Sequence, residues 1–77
     1  LFLKCTQVSD SFIYLNKGSI AGFLNGNQLE SIKNPLIKAD IVETARFSCI
    51  AKLKNPHGGM AKAGDNFRVI DWILFLV

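Results

Sequence analysis

The chain has 77 residues, of which 49% are hydrophobic and 19% are charged, and its formal net charge at pH 7 is +3. This composition is typical of a folded protein and argues against intrinsic disorder. A chain of this length forms one domain with a small core, so we predict a single β-rich domain over residues 1–77. No apolar run reaches the roughly 18 to 20 residues that a helix needs to cross a bilayer, so we expect no membrane span.

The first third of the chain reads as strands. Residues 1–8, 12–15 and 19–24 are rich in β-forming side chains, and each predicts a strand. Asn16, Lys17 and Gly18 separate the second run from the third, which is typical of a hairpin turn with glycine at a positive φ angle. Gly18, Gly22 and Gly26 also recur every fourth residue, as in close-packed membrane helices, but the polar residues around them interrupt any apolar helix.

A short helix is predicted next, over the sequence NQLESIKNP at residues 27–35. Asn27 can cap a helix, Glu30 follows three residues later as in a capping box, and Pro35 prevents continuation. We expect one or two helical turns here.

The clearest strand pattern runs from Ala45 to Leu53. Apolar and small residues alternate with residues of a second face, which indicates a strand with one buried side. The buried face is predicted to hold Ala45, Phe47, Cys49, Ala51 and Leu53, and the opposite face Arg46, Ser48, Ile50 and Lys52. Residues 67–77 predict a last strand that is apolar on both faces, with Trp72 in the core.

The order of these elements resembles that of the OB-fold, a five-stranded, partly open barrel with a helix between the third and fourth strands. The resemblance implies binding of oligonucleotides or oligosaccharides by the second and third strands and by the loops beside them. An alternative likeness joins ETARFSCIAK and VIDWILFL, which are similar to the B and C strands of an immunoglobulin domain. It implies a β-sandwich fragment, or a domain completed by a partner chain.

The two cysteines, Cys5 and Cys49, fall in strand-like segments that could be neighbours. One disulfide between them would stabilise a small secreted domain, whereas a cytosolic domain would keep both thiols reduced. The sequence contains no CxxC pair and no cluster of histidine and cysteine, so we predict no metal site.

Basic residues gather in the second half of the chain. Between Glu43 and Asp65 there is no acidic residue, so this segment suits phosphate, an anionic headgroup or an acidic protein. The same lysines would also suit a solvated strand edge. In the OB arrangement, residues 54–66 form a loop beside the binding face, and Phe12, Tyr14 and Phe23 are candidates for stacking on bases. Phe12 and Phe23 also suit the core, whereas the hydroxyl of Tyr14 favours a position near water or a polar group. The predicted ligand-binding residues are Tyr14, Lys17, Arg46, Lys52, Lys54, His57 and Lys62.

These patterns favour a non-enzymatic binding module without a cofactor. His57 is the only histidine, no spacing places a nucleophile beside it, and the glycines near it do not form a Walker-type loop. The first expected partner is single-stranded nucleic acid or another anionic chain. The alternatives are a secreted, disulfide-linked subunit that binds glycan or protein, in a homo-oligomer, and a purely structural subunit.

Overall fold

The structure, a computed structural model, describes residues 2–54 and 61–71. Six strands in this part of the chain form a closed antiparallel barrel in the order β1-β2-β5-β4-β3-β6. Their bounds are β1 Phe2–Ser9, β2 Phe12–Leu15, β3 Gln28–Ser31, β4 Lys38–Thr44, β5 Cys49–Leu53 and β6 Asn66–Asp71. The predicted mostly-β barrel is confirmed, with six strands instead of five, and the closed barrel replaces the alternative of a sandwich fragment.

Alternation along the strands fills the barrel with apolar side chains. On β2, Ile13 and Leu15 point inward while Phe12 and Tyr14 face solvent, because successive side chains of a strand point to opposite faces. The predicted core residues Cys49 and Leu53 are buried, and Trp72 lies outside the described residues. The buried apolar residues are Leu3, Cys5, Ile13, Leu15, Phe23, Leu29, Ile37, Ala39, Ile41, Cys49, Ala51, Leu53, Ala61 and Phe67.

The predicted strand over 45–53 is wrong in its first half. β5 begins only at Cys49, and residues 45–48 form a turn that the Ala45 N–H closes by donating to the Ser48 carbonyl oxygen at 2.9 Å. Phe47 is therefore 67% exposed and not in the core. Apolar and polar residues also alternate within the turn, so the sequence pattern alone does not mark where β5 begins. Pairing with β2 and β4 begins only at Cys49, after the hydrogen bond between Ala45 and Ser48 has closed the turn.

β4 is a strand that none of the sequence predictions includes. Ile37, Ala39 and Ile41 are buried and alternate with Lys38 and Asp40, which is the pattern of a half-buried strand. Its register against β5 shifts between Ile41 and Glu43. This irregularity breaks the alternation before the turn, so the period of β4 does not continue into β5.

The predicted third strand at 19–24 is also wrong, because Ser19–Ala21 is a 3-10 turn. Its backbone packs against the β4–β5 turn: the N–H groups of Ser19 and Ile20 donate to the carbonyl oxygens of Ala45 and Arg46 at 2.8 and 3.1 Å. Gly18 permits this contact, since a Cβ atom there would overlap the carbonyl oxygens of Ala45 and Ser48.

The predicted helix at 27–35 is replaced by β3, at Gln28–Ser31. The side chain of Asn27 does not cap a helix: its Oδ1 accepts a hydrogen bond from the Leu24 N–H at 2.8 Å and so holds the preceding turn. β3 pairs with β4 on one side and β6 on the other. Two strand partners satisfy its backbone, whereas an isolated helix of one or two turns is unstable.

The two cysteines are free, buried thiols, so of the two alternatives that the sequence left open, the disulfide between Cys5 and Cys49 is excluded. Both are cross-strand partners of Leu15, one from β1 and the other from β5. Because neighbouring strands lie about 4.8 Å apart, their Cα atoms are separated by two strand spacings, roughly 9 to 10 Å. A disulfide requires a separation below about 7 Å.

The two ends of the barrel differ in their loops. We call the end with the β4–β5 turn and the 3-10 turn the upper rim, and the end with the β3–β4 connection (32–37) and residues 61–65 the lower rim. Within the part of the chain that the structure describes, no helix is long and apolar enough to span a bilayer.

Candidate functional site

An exposed surface on the barrel wall combines two aromatic rings with a lysine. Phe12 and Tyr14 of β2 are each 37% exposed, and Lys52 of β5 is exposed on the same face. The register of the two strands places Phe12 directly opposite Lys52, and Tyr14 opposite Ile50. We call Phe12, Tyr14 and Lys52 the aromatic–lysine surface.

Acidic residues of β4 border this surface. Asp40 is opposite Lys52 in the register of β4 and β5, and its Oδ1 lies 3.8 Å from Nζ of Lys54. Glu43 lies opposite Ile50. The face is therefore mixed in charge, unlike the uniformly basic strand that the sequence analysis expected. Lys52 makes no ion pair with any described residue.

The lower rim holds a cleft of about 350 Å³ between the β3–β4 connection and residues 61–65. Lys62, a predicted site residue, lies on one side and Lys33 on the other. Neither side chain has an ion-pair partner among residues 2–54 and 61–71. We call this the lower-rim cleft, and its lining residues are Ser31, Lys33, Asn34, Ile37, Lys62 and Asp65.

Two of the predicted site residues lie at the opposite end of the barrel. Lys17 and Arg46 are at the upper rim, where Lys17 lines a smaller cleft of about 230 Å³ together with Ile20 and Phe47. His57 falls outside the described residues. The structure thus divides the predicted set: Tyr14 and Lys52 share the wall, Lys54 is paired with Asp40, Lys62 is in the lower-rim cleft, and Lys17 and Arg46 are at the other end.

Lys33 was not among the predicted site residues, and Phe23 takes the core position that was its alternative to stacking. The predicted helix over residues 27–35 includes Lys33, but Lys33 lies in the β3–β4 connection and lines the lower-rim cleft. Phe23, a candidate for stacking, is fully buried in the core. The signal that could have found Lys33 is the alternation of β4. A strand beginning at Lys38 makes the preceding residues a connection between two strands, and so places Lys33 at the rim of the barrel.

A three-residue ionic cluster connects the neighbouring strands β4, β3 and β6 on the barrel wall. Glu30 of β3 lies between Lys38 of β4 and Arg68 of β6 in the strand register. The Arg68 guanidinium donates two hydrogen bonds to Glu30 Oε1, and Lys38 Nζ donates one to Oε2 at 3.3 Å. These bonds, with that from Arg68 the strongest, lower the pKa of Glu30 below its usual range. Because all its oxygens are engaged, this carboxylate has a structural role.

In the described parts of the chain, no group of three or more histidine, cysteine, aspartate or glutamate side chains comes together as a metal site would require. Burial raises the pKa of both thiols, that of Cys49 to about 11, so neither is poised as a nucleophile at neutral pH. No protein-family model matches the sequence, and no curated protein is significantly similar to it.

Proposed function

We propose that this domain is a non-enzymatic binding module that holds an anionic chain, single-stranded nucleic acid first among them, on the aromatic–lysine surface. One observation carries the proposal: Phe12 lies directly across from Lys52, with Tyr14 exposed on the same face. Single-stranded nucleic acids are bound by this combination, in which rings stack on bases and cations meet phosphates.

The spacing of the two rings suits successive bases of one strand. Phe12 and Tyr14 are two residues apart on β2, so their Cα atoms lie about 6.7 Å apart along the wall. Each stacked base contributes roughly 1 to 3 kcal/mol, independently of its identity. Two such contacts would give weak, sequence-tolerant binding on a wall that the closed barrel holds rigid.

Two cationic side chains, one near each end of β5, could contact the phosphates of such a strand. Lys52 is level with Phe12 toward the lower rim, and Arg46 lies in the turn at the upper end of β5. A chain lying along β2 and β5 would therefore meet a positive charge at each end of the stacked bases. The nearby carboxylate of Asp40 would repel the phosphates, so the electrostatic contribution to affinity would be modest.

The exposed rings would also accept a glycan or an apolar side chain of a protein. Salt separates these ligands from an anionic chain, because only the anionic chain loses affinity steeply as salt rises. A disulfide-linked subunit is not proposed, since both cysteines are free.

Fluorescence anisotropy with a labelled single-stranded oligonucleotide at low salt tests the proposal. Tyr14→Ala and Lys52→Ala should each weaken binding at least about fivefold, because each removes a stacking or a phosphate contact. Phe2→Ala and Lys4→Ala are matched controls: both are exposed residues of β1, a strand that does not adjoin β5. Equal losses in controls and test variants, or no binding to the parent protein, would refute the proposal.

A further inference from the structure

We propose that the lower-rim cleft is a second, separate binding site, which takes a phosphorylated polyol: a phosphate monoester on a group that carries free hydroxyls, such as a ribonucleotide. It lies on the barrel end and uses none of the residues of the aromatic–lysine surface. It therefore stands or falls independently of the function proposed above.

Hydrogen bonds hold both walls of the cleft in place before any ligand binds. In the β3–β4 connection, the Ser31 N–H donates to the Ile37 carbonyl oxygen and the Ile37 N–H donates to that of Asn34, both at 2.9 Å. On the opposite wall, the Lys62 N–H donates to Asp65 Oδ2 at 2.9 Å. A preformed shape of this kind spares a ligand the cost of ordering the loops.

The two lysines provide the phosphate-binding charge. Lys33 and Lys62 approach from opposite walls, and neither is neutralised by a carboxylate within the described residues. With Asp65 also in the lining, the formal charge of these three side chains is +1. A phosphate monoester carries about −1.5 to −2 at neutral pH, so it complements the cleft and would hold both ammonium groups.

The polar groups deeper in the cleft distinguish a polyol from phosphate alone. Ser31 is 1% exposed yet lines the cleft, and its Oγ accepts a hydrogen bond from the Asn34 N–H at 3.3 Å, which leaves the hydroxyl proton free to be donated. Asp65 uses Oδ2 for the Lys62 N–H, and its carboxylate retains acceptor capacity for a ligand hydroxyl. A carboxylate would repel a bare phosphate, but it accepts hydrogen bonds from sugar hydroxyls.

The size of the cleft and its apolar side agree with this ligand class. A volume of about 350 Å³ lies at the lower end of the range for small-molecule sites, roughly 300 to 1,000 Å³. Ile37 is almost fully buried and forms an apolar side on which the carbon skeleton of a sugar can rest. The smaller cleft at the upper rim differs in its chemistry. It also contains a lysine, Lys17, but no carboxylate is among its described lining residues, so it lacks an acceptor for sugar hydroxyls.

Isothermal titration calorimetry with adenosine monophosphate, adenosine and inorganic phosphate, each on the full chain, tests this assignment. We expect saturable binding of adenosine monophosphate, and binding at least about tenfold weaker for the other two probes. Lys33→Ala and Lys62→Ala should each raise the dissociation constant about tenfold, as the loss of one charge-assisted hydrogen bond does. Lys17→Ala, at the opposite rim, is the matched control and should leave it unchanged.

Asp65→Asn separates hydroxyl recognition from charge. The asparagine Oδ1 can still accept the Lys62 N–H, so the loop keeps its shape while the acceptor for the ligand hydroxyl is weakened. This variant should lose affinity for adenosine monophosphate but gain affinity for inorganic phosphate. Equal affinity of the parent for both ligands, unchanged binding in both lysine variants, or no heat at millimolar adenosine monophosphate would overturn the proposal.

Two sources of the ligand, a free small molecule and the phosphorylated end of a nucleic-acid strand, share this chemistry. Oligonucleotides with and without a terminal phosphate distinguish them. A terminal phosphate that tightens binding in the parent but not in Lys33→Ala assigns the site to strand ends. Adenosine monophosphate binding without such an effect assigns it to a free ligand. Either result can occur whether or not Tyr14 and Lys52 bind the rest of the strand.

Discussion

The carboxylate of Glu30 accepts two hydrogen bonds from the guanidinium of Arg68, from Nε at 3.0 Å and from Nη2 at 2.7 Å. Lys38 completes the contact from the other neighbouring strand, with Nζ 3.3 Å from Glu30 Oε2. One side chain thereby connects β6, β3 and β4. Because β3 has only four residues, this cluster contributes to holding it between its longer neighbours.

Acidification should remove the contribution of this cluster to stability. The Arg68 hydrogen bonds, with those of Lys38, lower the pKa of Glu30 in the folded state from its usual 4.5. The stabilisation is therefore fully present above about pH 4.5 and is lost as the pH falls through the lowered value. Glu30→Gln should be less stable than the parent at pH 7, and the difference should shrink toward pH 3.

Urea unfolding at the two pH values measures this difference. Glu43→Gln is the matched control, because Glu43 is exposed and forms no ion pair with a described residue. Its stability should follow that of the parent at both pH values. A Glu30→Gln variant that tracks the control throughout would show that the cluster does not stabilise the fold.

Substitution of two phenylalanines tests which residues form the core: Phe67, which is buried, and Phe47, which the sequence pattern placed in the core but which is exposed. Phe67 of β6 is fully buried, so Phe67→Ala should cost roughly 3 to 5 kcal/mol of the free energy of unfolding. Phe47, in the β4–β5 turn, is 67% exposed, so Phe47→Ala should cost less than about 1 kcal/mol. Urea denaturation of the two variants compares them directly. A larger loss for Phe47→Ala would restore the strand pairing that the sequence alternation predicted.

The thiol of Cys49 should be unreactive and should make the fold sensitive to alkali. Burial raises its pKa from 9.0 to about 11 in the folded state. The unfolded chain thus releases its proton first, and stability is lost as the pH rises from about 9 to about 11. Cys49→Ala should show a smaller loss over this range. Iodoacetamide should label native protein slowly at pH 8 and label both cysteines quickly in urea, whereas rapid labelling of folded protein would contradict the burial.

Removal of the acid beside the aromatic–lysine surface should strengthen binding of an anionic chain. Asp40 is paired with Lys54 and lies opposite Lys52 in the register, so Asp40→Asn relieves repulsion and frees a lysine. We expect several-fold tighter binding of a labelled oligonucleotide in anisotropy titrations. Lys54→Ala should matter little in the parent and more in the Asp40→Asn background, which a double-mutant cycle measures. Weaker binding of Asp40→Asn would contradict an anionic ligand at this surface.

The barrel itself could be predicted because its strands alternate. Ile13 and Leu15 on β2, and Cys49, Ala51 and Leu53 on β5, show the period of two that places one face inward. These local patterns were sufficient to predict a mostly-β barrel, whereas its closure by six strands was not predicted.

The connections could not be predicted, because they depend on contacts distant in sequence. Gly18 and the 3-10 turn take their conformation from the β4–β5 turn, some 27 residues later in the chain, through the bond from Ser19 to Ala45. Similarly, Asn27 and Glu30 have the spacing of a capping box, yet the Glu30 carboxylate accepts hydrogen bonds from Arg68 and Lys38 on two other strands. The candidate site residues show the same division. The alternation of the strands predicts that Tyr14 and Lys52 face outward, whereas the position of Lys33 depends on how the β3–β4 connection packs against residues 61–65.

The salt dependence of oligonucleotide binding is the sharpest test of whether the aromatic–lysine surface holds an anionic chain. On single strands, the logarithm of the affinity falls with the logarithm of salt concentration by about 0.7 per phosphate neutralised. Lys52→Ala should therefore reduce the slope by about 0.7 and Lys4→Ala should leave it unchanged. Replacing Lys52, Lys54 and Lys62 together should also reduce it by about 0.7, and not by the roughly two units expected of three contributing lysines, because Lys54 is paired with Asp40 and Lys62 lies in the separate lower-rim cleft. Binding that does not depend on salt, or a slope that Lys52→Ala leaves unchanged, would contradict phosphate contacts at the aromatic–lysine surface.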